Sequence, residues 1–392
     1  MGQAALKTVE TEETLDVSAA LDVISKYAAE GRKNRRISEP VITALRDSGF
    51  FRSVLPKQYG GMEVHPSEFF RAAIDIAERD MGTSWATGII AIHAFQLAMM
   101  DPKACDDVYG KTGPDTLISS SYNPTGAKVE TVDGGFKLSG RWGWSSGSAH
   151  CDWVLLGGLI FDQGKEKIHY RTFLVPKPDY IIEDTWFPMG LHSTGSNDIV
   201  IDEPCFVPTY RTHHQMDGFN GVHPQTSPMY NIPWAQTFIR VVCSAAIGGV
   251  KHALQLFIDN AQGSSTDVTR LASDPDVTRR VAEVANMIDE TEVVLFRNFD
   301  KMMEQVESGE EIPLIDRIKY RYQASLVIEK MIKAMDMLFD VAGGRSVYEG
   351  SPIQDIWHDV HIARAHVANN PVSFGRNYGA VLLGAENTDL FL

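Results

Sequence analysis

Two kinds of residue in this chain have the types and spacing for chemistry: hydroxyl-rich turns set between β-patterned runs, and histidines set in helical ones. The turns are Ile118-Ser-Ser-Ser-Tyr-Asn-Pro-Thr-Gly-Ala-Lys128, Arg141-Trp-Gly-Trp-Ser-Ser-Gly-Ser148 and Thr194-Gly-Ser-Asn-Asp198. Such turns can place backbone N–H groups and hydroxyls around a flat, polar, partly anionic ligand, and a flavin fits that description. Gly, Ser, Asn and Asp also populate ordinary hairpin turns for conformational reasons alone. A lone histidine is more often a satisfied core or surface residue than a catalytic one, and His93, in Ile89-Ile-Ala-Ile-His-Ala-Phe-Gln, could be a hydrogen-bonded histidine in a helix core. His358 and His361 read as structural residues.

Composition narrows the classes of function. A chain of 392 residues is too long for one ordinary core and predicts two or three domains that share an interface. The net charge of −15 disfavours nucleic acid and anionic membrane as partners, since both need a positive surface. Four cysteines, Cys105, Cys151, Cys205 and Cys243, are scattered without close pairing, so neither a zinc site nor a disulfide framework is expected. The longest apolar run, Ala86 to Met100, is short for a membrane span and contains His93 and Gln96. The first residues have neither an apolar core nor a small-residue cleavage site, and the expected location is the cytoplasm. There is no Gly-x-Gly-x-x-Gly after a strand and no Gly-x-x-x-x-Gly-Lys-Ser/Thr, so a built-in nicotinamide or nucleoside triphosphate site is not expected.

The elements that must position these residues fall into three segments, an α+β class by pattern alone. Residues 1–114 are helical: Ile37, Val41 and Leu45 follow helical steps, Gly49 is a helix stop, and Ser67 is the expected N-cap of a helix from Glu68 to Arg79. Residues 115–225 switch to short β-branched and aromatic runs, Val129 to Val132, Phe136 to Leu138, Trp153 to Ile160, Tyr170 to Val175 and Ile199 to Ile201, bounded by turns such as Asp133-Gly134 and Asp162-Gln-Gly164, with Pro208 closing the domain. On an unbroken strand Trp142, Trp144 and Ser146 share one face and Ser145 the other, so Trp142 and Trp144 either pack on the ligand or fill the β core. Residues 226–392 return to helices, with Val277, Val281, Val284, Ile288 and Leu295 on one face and the turn Ser308-Gly-Glu-Glu-Ile-Pro313 between antiparallel members of a bundle.

The three turns, in this order and with these flanks, resemble those of the acyl-CoA dehydrogenase fold and, within it, the oxygenase components of two-component, group D flavin-dependent monooxygenases. The segment Trp357-His-Asp-Val-His-Ile-Ala-Arg-Ala-His366 is similar to those oxygenases that hydroxylate a steroid-derived phenol, with the 4-hydroxyphenylacetate hydroxylases as near relatives. The resemblance implies an N-terminal helical domain, a central antiparallel β-barrel and a C-terminal helical bundle. It implies reduced FMN or FAD, diffusible and non-covalent, with dioxygen forming a flavin hydroperoxide that hydroxylates a small aromatic substrate, and a separate NAD(P)H-flavin reductase. It also implies a homotetramer.

The same resemblance assigns roles to residues. His366 takes the place of the catalytic histidine and His93 that of a second histidine touching substrate or cofactor. Ser146, favoured over Ser145, touches the reactive ring nitrogen. Ser119, Ser120, Ser121, Tyr122, Trp144, Thr194, Gly195, Ser196 and Asn197 line the flavin, and Arg270 meets a flavin phosphate, or else is a solvated charge. Where many acyl-CoA dehydrogenases carry a catalytic glutamate, this chain has Val367-Ala-Asn-Asn-Pro371 without a carboxylate. That weakens thioester dehydrogenation as the alternative and leaves oxidation of indole, sulfur or nitrogen substrates open. As a base, His366 would face a phenol whose ordinary pKa lies about 3.5 units above its own, roughly 5 kcal/mol uphill, so either proton removal accompanies C–O bond formation or the site stabilises phenolate.

Overall fold

The computed structural model describes residues 14–161, 168–214, 227–262 and 271–392; Arg270 and the turn Asp162 to Gly164 lie outside them. The N-terminal region consists of α1 (Ser18–Asn34), α2 (Glu39–Asp47), α3 (Pro66–Ala77), α4 (Met81–Ala98) and α5 (Pro102–Tyr109). Gly49 stops α2 as expected, at φ 78°, a left-handed conformation that costs glycine little. The cap of α3 is not Ser67. Pro66 takes the first helical position, where its missing N–H is harmless, and His65 Nδ1 accepts from the Ser67 N–H, while the Ser67 hydroxyl reaches Asp300. All 18 residues of α4 are buried, so the helix is apolar all round and threads the core. Its start is fixed by Asp80, whose Oδ2 accepts from the Thr83 N–H at 2.7 Å.

The described residues of the β region do not form a closed antiparallel barrel. The described strands β1 (Ile118–Ser121), β2 (Ala127–Val132), β3 (Gly135–Ser145), β4 (Trp153–Phe161), β5 (Ile168–Pro176), β6 (Ile181–Glu183), β7 (Asn197–Pro208) and β8 (Thr212–His214) form two four-stranded sheets, ordered β1-β4-β5-β8 and β2-β3-β7-β6. Their inner faces share one core of Phe136, Leu138, Trp142, Leu156, Phe173 and Ile199. The β1 and β4 pair is parallel, because β2 and β3 cross into the other sheet before the chain returns beside β1 in the same direction. β1 itself, which carries Ser119, Ser120 and Ser121, is a buried strand that turn-like composition concealed.

The C-terminal region has α6 (Trp234–Gln262), α7 (Pro275–Glu307), α8 (Leu314–Phe339), α9 (Pro352–Ala363) and α10 (Pro371–Leu382). Among the described residues α6 alone is long and apolar enough to cross a membrane, but two thirds of that stretch is buried within the fold, as in a core helix. Buried side chains from both helical regions make one continuous cluster, from Ile24 and Phe95 to Met331 and Leu338.

One charged knot holds the parts in register. The Arg32 guanidinium on α1 reaches Asp80 at 3.1 Å, Asp355 at 2.8 Å and Asp359 at 3.7 Å. Asp80 also accepts from the Ser193 hydroxyl at 2.8 Å, and Asp359 from the Leu191 N–H. These bonds tie α1, α4 and α9 to the loop that leads into Thr194. Burial pushes the Asp359 carboxyl up to about 7 despite Arg32 beside it.

Candidate active site

The three hydroxyl-rich turns meet where β1, the end of β3 and the start of β7 approach α4. The register of β3 against β7 slips between Trp142 and Ser145, and Trp144 sits at φ 70°, strained backbone for a tryptophan. The bulge breaks the expected alternation. Trp142 turns into the β core, donating its indole N–H to the Gly157 carbonyl at 2.7 Å, while Trp144 is 63% exposed. Gly147 lies so close to α4 that an added Cβ would meet Ile90 at 2.5 Å.

The hydroxyls beyond the bulge are ordered in one direction. Thr194 donates to the Leu191 carbonyl at 2.8 Å, so its oxygen must accept from Ser196 at 2.7 Å, and Ser196 must then accept from Ser146 at 2.8 Å. The Ser146 proton is thereby engaged inside the protein, leaving oxygen lone pairs for a ligand's N–H. Ser145, fully buried, has no hydrogen-bond partner for its hydroxyl among the described residues, and neither has Ser148. Gly147 N–H donates to the Thr194 carbonyl at 2.8 Å, joining the second turn to the third.

The remaining cofactor candidates divide into ligand-facing and structural positions. Ser121 donates to the Gly143 carbonyl at 2.6 Å and so braces the bulge. The Tyr122 hydroxyl donates to Gln96, and its ring meets Phe238 edge-on at 5.0 Å. Ser119 and Ser120 are buried in β1 beside these groups. The Asn197 side-chain carbonyl accepts from the N–H groups of Thr185 and Trp186, both at 3.1 Å, so it shapes the loop rather than presenting that oxygen to a ligand. Gly195, at φ 52°, turns the chain where a Cβ would press on the Arg35 carbonyl.

His93 and His366, far apart in sequence, share one aromatic cluster. His93 is fully buried on α4, with its ring centre 6.3 Å from that of Trp234 and 6.4 Å from that of Phe238. Its Nδ1 lies 2.8 Å from the Ile118 carbonyl and its Nε2 has no partner among the described residues. His366, partly buried just after α9, stands 5.9 Å from the Trp85 ring and 6.5 Å from Phe238. Its Nδ1 accepts from the Ala368 N–H at 3.2 Å, while Arg321 donates to the Ala368 carbonyl at 3.1 Å. Asn369 holds the same turn through the carbonyls of Val242 and Ala363, at 2.8 and 2.9 Å. Loss of water lowers both imidazoles to about 4, and for His366 the Arg321 charge adds to it. His361 bonds the Trp357 carbonyl and stacks on that ring at 3.9 Å, as its structural reading required.

Sequence reasoning missed Trp234, Phe238, Arg321 and Asn369. Trp234 and Phe238 are separated by four positions, a helical spacing that would have put two aromatics on one face, but nothing in the sequence aimed that face at His93. Among the described residues no group of His, Cys, Asp or Glu could hold a metal ion.

Residues 240–371 match the family model for the acyl-CoA dehydrogenase C-terminal domain. Over 381 residues the chain is 33% identical to the flavin-dependent monooxygenase oxygenase subunit HsaA of Rhodococcus jostii (strain RHA1), covering 95% of this chain and 98% of that one. The chain belongs to the oxygenase subunits of the flavin-dependent monooxygenases. The p-hydroxyphenylacetate 3-hydroxylase oxygenase component of Acinetobacter baumannii is 27% identical over 94% of this chain and 88% of its own length. The crystal structure of 3-HSA hydroxylase from Rhodococcus sp. RHA1 superposes with a TM-score of 0.90 at 31% identity, over 96% of this chain and 97% of that chain.

The site suits the cofactor of these oxygenase subunits. A reduced flavin carries N–H donors on its ring, and the hydroxyl chain leaves Ser146 as an acceptor, beside the Ser145 hydroxyl that has no partner among the described residues. An oxidised flavin, whose corresponding nitrogen only accepts, would find the Ser146 proton already engaged. Ser146→Ala is accordingly expected to weaken binding of reduced flavin and to release more hydrogen peroxide per turnover, with Ser145→Ala doing less. Unchanged coupling in Ser146→Ala, measured as product formed per oxygen consumed, would place the contact elsewhere.

Proposed function

We propose that this chain is the oxygenase component that hydroxylates a phenol next to its hydroxyl, using reduced FMN or FAD supplied by a separate NAD(P)H-flavin reductase. Reduced flavin and dioxygen would supply the electrophilic oxygen and two electrons. Ser146, Ser145, Ser119 to Tyr122, Trp144 and Thr194 to Asn197 would line the flavin, and Arg270 would serve its phosphate. The carrying observation is the shared aromatic cluster, in which Trp85, Trp234, Phe238 and Tyr122 surround two neutral histidines. Flat apolar walls suit an aromatic ring, and the histidines supply the polar contacts to its hydroxyl.

Thioester dehydrogenation is disfavoured because the stretch Val367-Ala-Asn-Asn-Pro371, where many acyl-CoA dehydrogenases carry their catalytic glutamate, holds no carboxylate, and Asn369 within it is engaged with two backbone carbonyls. The test is to supply reduced flavin, oxygen and a panel of phenols and indoles, and to follow both product and NADH. A catechol from at least one phenol is expected only when reduced flavin is supplied. NADH oxidation by the pure chain, or turnover confined to indoles, would overturn the assignment.

We further infer a cytoplasmic homotetramer, with domains at 1–114, 115–225 and 226–392. Exposed Val293, Leu314, Val367, Val372, Leu382 and Leu383 on the C-terminal helices and turns offer apolar surface for a symmetric interface. Sedimentation of the purified protein should give four chains. A fully active monomer would refute that assembly.

A further inference from the structure

We propose that Asp359 is a positioning residue for the flavin, holding Leu191 in the conformation that fixes the sense of the hydroxyl chain through Thr194, Ser196 and Ser146. The proposal rests on the reading of Ser146 as a flavin contact and names what decides whether that hydroxyl accepts or donates. Leu191 lies at φ 55° and ψ 36°, the left-handed region, which a leucine enters at a cost and keeps only where its surroundings hold it. The hold comes from α9. The Leu191 N–H donates to Asp359 Oδ1, while Asp359 Oδ2 faces Arg32 at 3.7 Å, so each carboxylate oxygen has its own task. Gly190 runs so close to the same turn of α9 that an added Cβ would meet the His358 carbonyl carbon at 2.6 Å and the Asp359 nitrogen at 2.9 Å.

Holding the Leu191 N–H also aims its carbonyl. That oxygen accepts from the Trp186 indole N–H at 2.9 Å, from the Thr194 N–H at 3.2 Å and from the Thr194 hydroxyl at 2.8 Å. The last of these governs the cofactor site, because the Ser196 and Ser146 hydroxyls carry one proton each and by themselves could be ordered either way. With the Thr194 proton spent on Leu191, the chain runs from Ser146 to Ser196 to Thr194, and Ser146 offers its lone pairs to the N–H of a reduced ring. Were Leu191 to relax to an extended conformation, its carbonyl would leave Thr194 and the chain could turn round. Ser146 would then be free to donate to the bare nitrogen of an oxidised ring. Asp359 thus acts on the redox preference of the site through Leu191, without touching the flavin itself.

The experiment is anaerobic titration of the full chain with oxidised and dithionite-reduced FMN and FAD, read as the ratio of the two dissociation constants. Asp359→Leu should lower the preference for reduced flavin by about 2- to 10-fold, the worth of one hydrogen bond, with reduced flavin binding more weakly and oxidised flavin more tightly. Asp359→Asn keeps an acceptor for the Leu191 N–H while losing the charge toward Arg32, so it should retain the wild-type ratio whatever happens to its Tm. Leu191→Gly placed on Asp359→Leu should recover the ratio, since glycine occupies the left-handed region without being held, even though losing a buried side chain lowers the Tm further. Asp359→Ser, one atom too short to reach the Leu191 N–H, takes the place of Asp359→Leu if that variant does not fold. A wild-type ratio in Asp359→Leu, an equal loss in Asp359→Asn, or no recovery with Leu191→Gly would overturn the proposal. If Ser146→Ala itself leaves the ratio unchanged, it is the flavin contact at Ser146 that falls, and the role of Asp359 with it.

Discussion

His93→Asn is expected to slow hydroxylation of a phenol by about 10² to 10⁴-fold near neutral pH, the usual effect of losing a general base. The Ile118 carbonyl only accepts, so it requires the proton of the neutral ring on Nδ1 and leaves a lone pair on Nε2. Asparagine can still donate to that carbonyl, so the change removes the Nε2 lone pair and little else. Raising the pH toward the substrate's own pKa near 10 should recover much of the lost rate, because phenolate needs no base. His366→Asn keeps an acceptor for the Ala368 N–H but loses the Nε2–H donor, so its deficit should persist at every pH. Single-turnover mixing of enzyme, reduced flavin, oxygen and phenol between pH 6 and 10 separates the two. Rescue of His366→Asn rather than His93→Asn by high pH would assign the base to His366.

Arg32→Met should destabilise the protein by about 3 to 5 kcal/mol, since it strips the cation from two buried carboxylates. The deficit should depend on pH. Asp359 rises from 3.8 to about 7 on folding, so its protonation favours the folded state, and that contribution fades as pH rises from about 4 through 7. Without Arg32 the ionised form is harder still to hold, so the mutant should fall furthest below wild type above pH 7. Adding Asp359→Asn should flatten that slope. Thermal melts from pH 5 to 9 read both effects, and parallel melting curves for wild type and Arg32→Met would remove the knot from the account of stability.

The helical and β segments were legible because apolar periodicity reports which face is buried, and the Gly49 stop because a helix end needs a residue tolerant of positive φ. The hydroxyl-rich turns were legible by residue type. What those hydroxyls do was not, because a donor's direction depends on partners distant in sequence: Ser146 is fixed by Ser196, and Ser196 by Thr194 and Leu191. The same limit hid the histidine tautomers, which depend on Ile118 and Ala368. Trp144 misled for a different reason, since strict alternation holds only on an unbroken strand, and the bulge after Trp142 cannot be read from composition. The charged knot was invisible because Arg32, Asp80 and Asp359 lie in three separate helical contexts, each of which reads as a solvated charge.

The bulge also gives the protein an optical reporter. Of the seven tryptophans, Trp144 is the one turned out to solvent, while Trp142 and Trp234 are sealed in cores. Its indole should contribute the red-shifted, quencher-accessible part of the emission. A flavin absorbs in the near ultraviolet, where that indole emits, so a bound cofactor at the neighbouring serines would dim this component first. A chain packed over Trp144 would instead shift it to the blue, and the two events could be told apart by colour and lifetime without a label.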